Sequence, residues 1–124
     1  MITGPSGIGK SSLCLLLIDR GYTLVSDDQT MLQIADNGLQ ASAAPNIAGM
    51  MEIRNLGIIP IPHMAERAAV SLHIRLDPKA PRFIDSPDSQ NLLGHSIPSF
   101  AIWPDLATAP LKVEYALRLY GKKD

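Results

Sequence analysis

The sequence predicts an α/β domain with a mixed sheet, and three observations carry that prediction. A glycine-rich loop sits almost at the first residue and runs into an apolar helix. An Asp-Asn-Gly turn at residues 36–38 separates two β-type runs. The second half holds a strand alternation over residues 68–76, followed beyond Thr108 by a helical stripe. Strands joined by hairpins as well as by helices give a sheet richer in antiparallel pairs than a doubly wound fold.

The loop is the most specific element. Gly4-Pro5-Ser6-Gly7-Ile8-Gly9-Lys10-Ser11 fits G-x-x-x-x-G-K-[ST] at every fixed position. Glycines let the backbone curl so that its N–H groups converge on anionic oxygens, and the helix that opens there adds its positive end. Lys10 can reach the β- and γ-phosphates of a nucleotide, and the Ser11 hydroxyl can ligate Mg²⁺. Ser12, next in the helix, closes the nucleotide-binding stretch. The competing reading is an ordinary Gly-rich strand–turn–helix connection; the pattern, its spacing and the helix after it favour the phosphate loop. Only Met1-Ile2-Thr3 precede it, where a supporting strand has about five or six residues. The expectation is one domain, residues 1–124, lacking part of its N-terminal strand.

The remaining elements follow in order. Residues 10–20 read as a helix, apolar nearly all round and therefore buried, with Gly21 as its stop. Residues 22–26 are a short β-type run ending in Asp27-Asp28. Residues 30–35 and 39–43 are strands around the Asp36-Asn37-Gly38 hairpin turn. Residues 50–54 form a short strand, Leu56-Gly57-Ile58-Ile59 follows, and Pro60 and Pro62 break regular structure. Residues 68–76 form one strand, with Val70, Leu72, Ile74 and Leu76 on one face and Ser71, His73 and Arg75 on the other. Residues 77–90, rich in Pro and Asp, read as a long surface loop. Residues 100–103 form a last strand. Thr108 caps a C-terminal helix with Pro110 in its first turn, and Val113, Ala116, Leu117 and Tyr120 make its apolar stripe. The chain shows no repeats, low-complexity tract or internal linker.

Composition narrows the class. At 124 residues with 46% hydrophobic side chains, the chain can bury one core. A net charge of −1 provides no basic footprint for nucleic acid. The longest strongly apolar run, residues 13–18, is far short of a membrane span, and no secretory signal is visible. Cys14, the single cysteine, lies in that run as a core-packing thiol. It fits a reducing cytosol and excludes an internal disulfide. The expectation is a cytoplasmic protein with no nucleic-acid or membrane partner.

A phosphate loop alone implies nucleotide binding; transfer also needs a group to deprotonate the acceptor and carboxylates for the metal. Asp27-Asp28 stands at the end of the β-type run after the loop helix, the edge where ligands of open α/β sheets collect. Adjacent residues leave a strand end in different directions, so one can face the acceptor and the other the metal. The plain alternative is a solvated turn.

Two separated motifs then give the chain a family likeness. ITGPSGIGKSS with LLLIDRGYTLVSDD resembles the catalytic domain of HPr kinase/phosphorylase. Gly49-Met50-Met51-Glu52-Ile53-Arg54-Asn55-Leu56-Gly57 resembles that family's signature, a Gly followed by Glu-[Val/Ile]-Arg and Leu-Gly. The likeness is close over residues 1–60 and looser beyond, with Ala109-Pro110-Leu111-Lys112-Val113 similar to the short proteobacterial form. It implies a fold like the nucleotide-binding part of phosphoenolpyruvate carboxykinase. It also implies ATP- and Mg²⁺-dependent phosphorylation of a serine on the phosphocarrier HPr, within regulation of the phosphotransferase system. The reverse reaction, phosphate attacking phosphoserine to give pyrophosphate, belongs to the same resemblance, as does a homo-oligomer, hexameric in the family.

Carried over residue by residue, Gly4 to Ser11 would hold the phosphates and Asp27 would be the acid/base on the serine. Asp28 would help hold Mg²⁺, with Glu52 near metal or base and Arg54 near the transferring phosphate. Arg82, in Pro81-Arg82-Phe83, loosely matches an arginine of a mobile loop over HPr and the active site. Arg67 and Arg75 read as solvated charges, and His63, His73 and His95 as loop or strand-face residues. The chain departs from the family pattern at Ser12, usually acidic, and at Asn55, usually glycine. It also lacks the Arg-Pro-Gly-Arg-Asn type stretch of longer members and a histidine on a strand before the loop.

Two other functional readings stay open on sequence. One is a nucleotide-binding regulatory module with degraded catalysis, which Ser12 and the short first strand favour and which turnover would exclude. The other is a small-molecule phosphate-loop kinase, against which stands the lack of an Arg-rich lid; a protein-acceptor assay separates it.

Overall fold

A computed structural model of the chain describes every residue except Asp28, Asn37, residues 46–48, Pro62, His63, Lys123 and Asp124. Two compact units emerge, Met1–Lys10 with Val70–Asp124, and Ser11–Ala69.

The first unit is a mixed four-stranded sheet with a helix. Its strands are β1 (Ile2–Thr3), β7 (His73–Leu76), β8 (Asp88–Leu92) and β9 (His95–Ile102), in the order β1-β7-β9-β8. β1 and β9 flank β7 in parallel, and β8 closes the edge antiparallel to β9. The short first strand is held along β7 by Ile2↔Ile74 and Thr3↔Arg75 pairing. The Met1 amino group donates to Leu72 O at 2.8 Å, and Ile74 N donates to Met1 O at 2.9 Å. Ile74, Leu76, Ile97 and Ile102 are buried apolar residues of the sheet, with Leu72 buried just before β7.

Helix α2 (Ala109–Tyr120) buries Ala109, Pro110, Val113 and Ala116, and Tyr120 meets Phe100 of β9 edge-on, centroids 5.8 Å apart. The predicted stripe is present, with Leu117 and Tyr120 half-buried. Thr108 is the N-cap residue but makes no capping bond; its hydroxyl donates to Asp105 Oδ2 at 3.3 Å.

The second unit carries α1 (Lys10–Asp19), which starts on the last residue of the first unit, and two small sheets. β2 (Thr30–Ala35), β3 (Gly38–Ala43) and β6 (Arg67–Ala69) form an antiparallel sheet in the order β2-β3-β6. Ala35↔Gly38 pairing closes the predicted hairpin; Asn37 of its turn lies outside the described residues. β4 (Met50–Ile53) and β5 (Gly57–Pro60) form a separate hairpin, with Met51 at 1% exposure.

Several expectations need correction. Residues 68–76 are not one strand: β6 and β7 belong to different sheets, with residues 70–72 between them. The alternation is real, since Val70, Leu72, Ile74 and Leu76 are all buried, but the ladder partner changes midway. Residues 22–26 form no strand; Leu24 is buried, and its carbonyl accepts one bond from Ala65 N at 3.0 Å. Pro60 ends β5 opposite Met50 instead of breaking it, because an edge strand can lack one N–H. Pro62 lies outside the described residues. The last strand begins at His95, and β8 occupies part of the predicted loop. α1 is not buried all round: Leu13 and Leu17, one helical turn apart, are buried, whereas Leu15 and Leu16 are each 38% exposed.

Candidate active site

The loop follows β1 directly. Residues 5–7 are exposed, Ile8 N donates to Pro5 O at 3.2 Å, and Gly9 adopts φ +115°. That backbone conformation is strained for any side chain other than glycine's hydrogen. Gly4 is fixed by space: a Cβ there would lie 2.9 Å from Ile8 Cγ2 and 3.2 Å from Leu76 O. The cradle thus curls tightly over the C-terminal end of β7, where only a bare backbone fits. The Lys10 ammonium turns back over it, donating to Gly4 O at 2.6 Å and to Pro5 O at 3.2 Å. Leu106 backs the loop, its Cδ2 3.6 Å from the position of a Cβ on Gly9. Leu106 was missed by sequence reasoning, since nothing in the chain signals a leucine a hundred residues downstream.

Ser11 follows Lys10 in α1, and its hydroxyl donates to Asp27 Oδ1 at 2.8 Å. The other Asp27 oxygen, Oδ2, accepts from Glu52 N at 3.2 Å. The structure therefore brings together three of the predicted residues, Ser11, Asp27 and Glu52, the last through its backbone. Asp27 is half-buried; the Glu52 side chain is exposed on β4, and so is Ser12 on α1. Arg54 is exposed in the turn between β4 and β5, next to Asn55, whose φ of 74° explains why asparagine can stand at a glycine-like position. Asp28 lies outside the described residues.

Arg82 sits in the first unit, exposed in the connection after β7. It borders a groove of about 530 Å³ that Phe83, Phe100, Trp103, Lys112 and Tyr115 also line. This connection is anchored: Trp103 Nε1 donates to Ala80 O at 2.6 Å, Ala80 is buried, and Lys79 N donates to Asp77 Oδ1 at 2.8 Å. The Lys112 ammonium lies 5.3 Å from the Trp103 ring centroid.

Burial, with the nearby Asp27 charge second, pushes the Cys14 thiol up to about 11. The thiolate is scarce at neutral pH, as expected of a packing residue. At pH 8 the folded protein should be alkylated at Cys14 about a hundredfold more slowly than the denatured chain. Equal rates in a timed iodoacetamide reaction would contradict that environment.

The site's donors suit a magnesium nucleotide. Among the described residues no three His, Cys, Asp or Glu side chains gather as a metal cage. Mg²⁺ needs none: it takes one or two protein oxygens and completes its shell with phosphate and water. Ser11 Oγ supplies one hard oxygen, and its hydrogen bond to Asp27 Oδ1 puts a carboxylate beside it. No described helix is long and apolar enough to cross a membrane.

Comparison with known proteins finds likeness in sequence and in fold. A family model described as the HPr serine kinase C-terminal domain matches residues 1–102. HPr kinase/phosphorylase of Clostridium novyi (strain NT) is 47% identical over 62 residues, 50% of this chain and 20% of the relative. That of Geobacillus sp. (strain WCH70) is 42% identical over 77 residues, 61% of this chain and 25% of the relative. The chain thus matches a quarter or less of the length of these curated relatives. A solved structure of the Hpr(Ser) kinase/phosphatase from Coxiella burnetii superposes with a TM-score of 0.83 at 33% identity, covering 94% of this chain and 83% of that one. The α/β fold with a mixed sheet is therefore shared over nearly the whole chain.

Proposed function

The chain belongs to the HPr serine kinase C-terminal domain family, and from that premise we propose that it transfers the γ-phosphoryl group of ATP to a serine of the phosphocarrier HPr. In the reverse direction, inorganic phosphate would remove that group as pyrophosphate. The observation that carries the reading is the hydrogen bond from Ser11, the last residue of the phosphate-loop motif, to the carboxylate of Asp27. A nucleotide cradle ending on a carboxylate is what phosphoryl transfer requires and what a simple Gly-rich turn would not need.

In this reading the backbone of Gly4, Pro5, Ser6, Gly7, Ile8 and Gly9 cradles the phosphates, with Ser12 beside them, and Lys10 neutralises their charge. Ser11, Asp28 and Glu52 hold Mg²⁺. Asp27 takes the proton of the attacking serine and returns one in the reverse reaction; Arg54 and Arg82 stabilise charge on the transferring group. Mg²⁺, held by Ser11, Asp28 and Glu52, would supply charge compensation for the transferring phosphoryl group. The protein would act in the cytoplasm as a homo-oligomer.

The test is incubation with Mg²⁺, ATP labelled in its γ-phosphate, and HPr. Acid-stable label on a serine of HPr is the expected product. Absence of label under conditions where ATP binds would overturn the kinase reading.

A further inference from the structure

We propose that His73 is a positioning residue for the phosphate loop, acting through Thr3, the residue immediately before Gly4. The proposal rests on the reading of residues 4–11 as a nucleotide cradle.

The register places Thr3, His73 and Ser99 on one face of the first unit's sheet. His73 pairs with Ser99, and Thr3 pairs with Arg75, two residues along β7 from His73. Both ring nitrogens are used: Nε2 lies 2.6 Å from Thr3 Oγ1 and Nδ1 lies 2.8 Å from Ser99 Oγ. His73 is only 7% exposed and Ser99 4%. A polar chain therefore crosses three adjacent strands in the interior, with none of its side-chain atoms left unsatisfied. Burial, then the charges of the N-terminal amino group and Arg75, holds the imidazole below its ordinary 6.5. The ring is thus neutral near pH 7, with one nitrogen donating and the other accepting.

This arrangement has a consequence for the loop. The end of β1 is set against β7 by the Ile2↔Ile74 and Thr3↔Arg75 pairings. The Thr3 side chain adds a tether at its last residue, next to Gly4, whose own backbone is pressed against Leu76 O. Both contacts place the start of the cradle against β7, and a cradle made of backbone N–H groups works only if it is held in place before the phosphates arrive.

The test separates placement from stability. Thr3→Val removes the hydroxyl at nearly constant shape, Thr3→Ser keeps it, and His73→Gln changes the other partner. ATP dissociation constants are measured at a temperature where circular dichroism shows each variant fully folded, with Tm recorded in parallel. Thr3→Val and His73→Gln are expected to weaken ATP binding by about fivefold, the size of one net hydrogen bond, and Thr3→Ser to restore it. A lower Tm with an unchanged dissociation constant in Thr3→Val would overturn the proposal, since a merely structural contact moves only Tm. Should His73→Gln fail to fold, the two Thr3 variants decide alone. Failure of the wild-type chain to bind ATP would instead overturn the nucleotide reading, and the proposal with it.

Discussion

Replacing Asp27 by asparagine is expected to slow phosphoryl transfer to HPr by about a thousandfold, within the usual contribution of a general acid or base. The substitution is nearly isosteric. An asparagine oxygen can still accept the Ser11 hydroxyl at the position where Oδ1 now lies at 2.8 Å. The amide nitrogen would then face Glu52 N, replacing the longer 3.2 Å contact. Binding geometry is largely kept, whereas the capacity to take a proton from the acceptor serine is lost. ATP affinity should stay close to that of the wild type, and the loss should appear in kcat. A rate within tenfold of wild type would remove Asp27 from the chemistry. An equal collapse of ATP affinity would instead assign it to holding the loop or the metal.

Leu76→Ala is expected to cost about 2–5 kcal/mol, the range for truncating a fully buried leucine. Leu76 has 0% exposure and ends β7, and its carbonyl oxygen lies 3.2 Å from where a Cβ on Gly4 would stand. Truncation removes packing at the strand end that supports the cradle, so ATP binding should weaken as well. For a chain of this size the loss lowers Tm by about 10 °C or more. A thermal melt displaced by less than about 2 °C would show that the site collapses around the smaller side chain, contrary to the packing described.

The tight loop was legible from its glycines, since Gly4 leaves no room for a Cβ and Gly9 adopts φ +115°. The β2–β3 hairpin was legible from its turn, and α2 from its stripe. What escaped depends on partners rather than on local pattern. Residues 68–76 alternate without interruption, yet periodicity reports the pleat and not the neighbour, so the passage from β6 to β7 left no mark. β8 was hidden because Asp88, Ser89, Gln90 and Asn91 are all exposed and carry no apolar face. Its turn uses Leu93 at φ 51° before Gly94, a position at which leucine is unusual, with Asn91 Oδ1 accepting from Gly94 N at 3.0 Å. The burial of His73 was also invisible, because the alternation puts it on one face with Ser71 and Arg75 and its hydroxyl partners are 70 and 26 residues away. Residues 22–26 show the reverse failure: β-type side chains with no strand beside them.

The most direct test of the central claim, that residues 4–11 hold the phosphates of ATP, is calorimetric titration of Mg·ATP into the wild-type chain and Lys10→Ala. Lys10 now spans its own loop, reaching Gly4 O and Pro5 O, and its ammonium is the only side-chain cation within that motif. The account predicts saturable binding to the wild type and a loss of at least about tenfold in the variant, the scale of a charge-assisted contact. Equal affinity in the two proteins would place the nucleotide elsewhere and contradict the account.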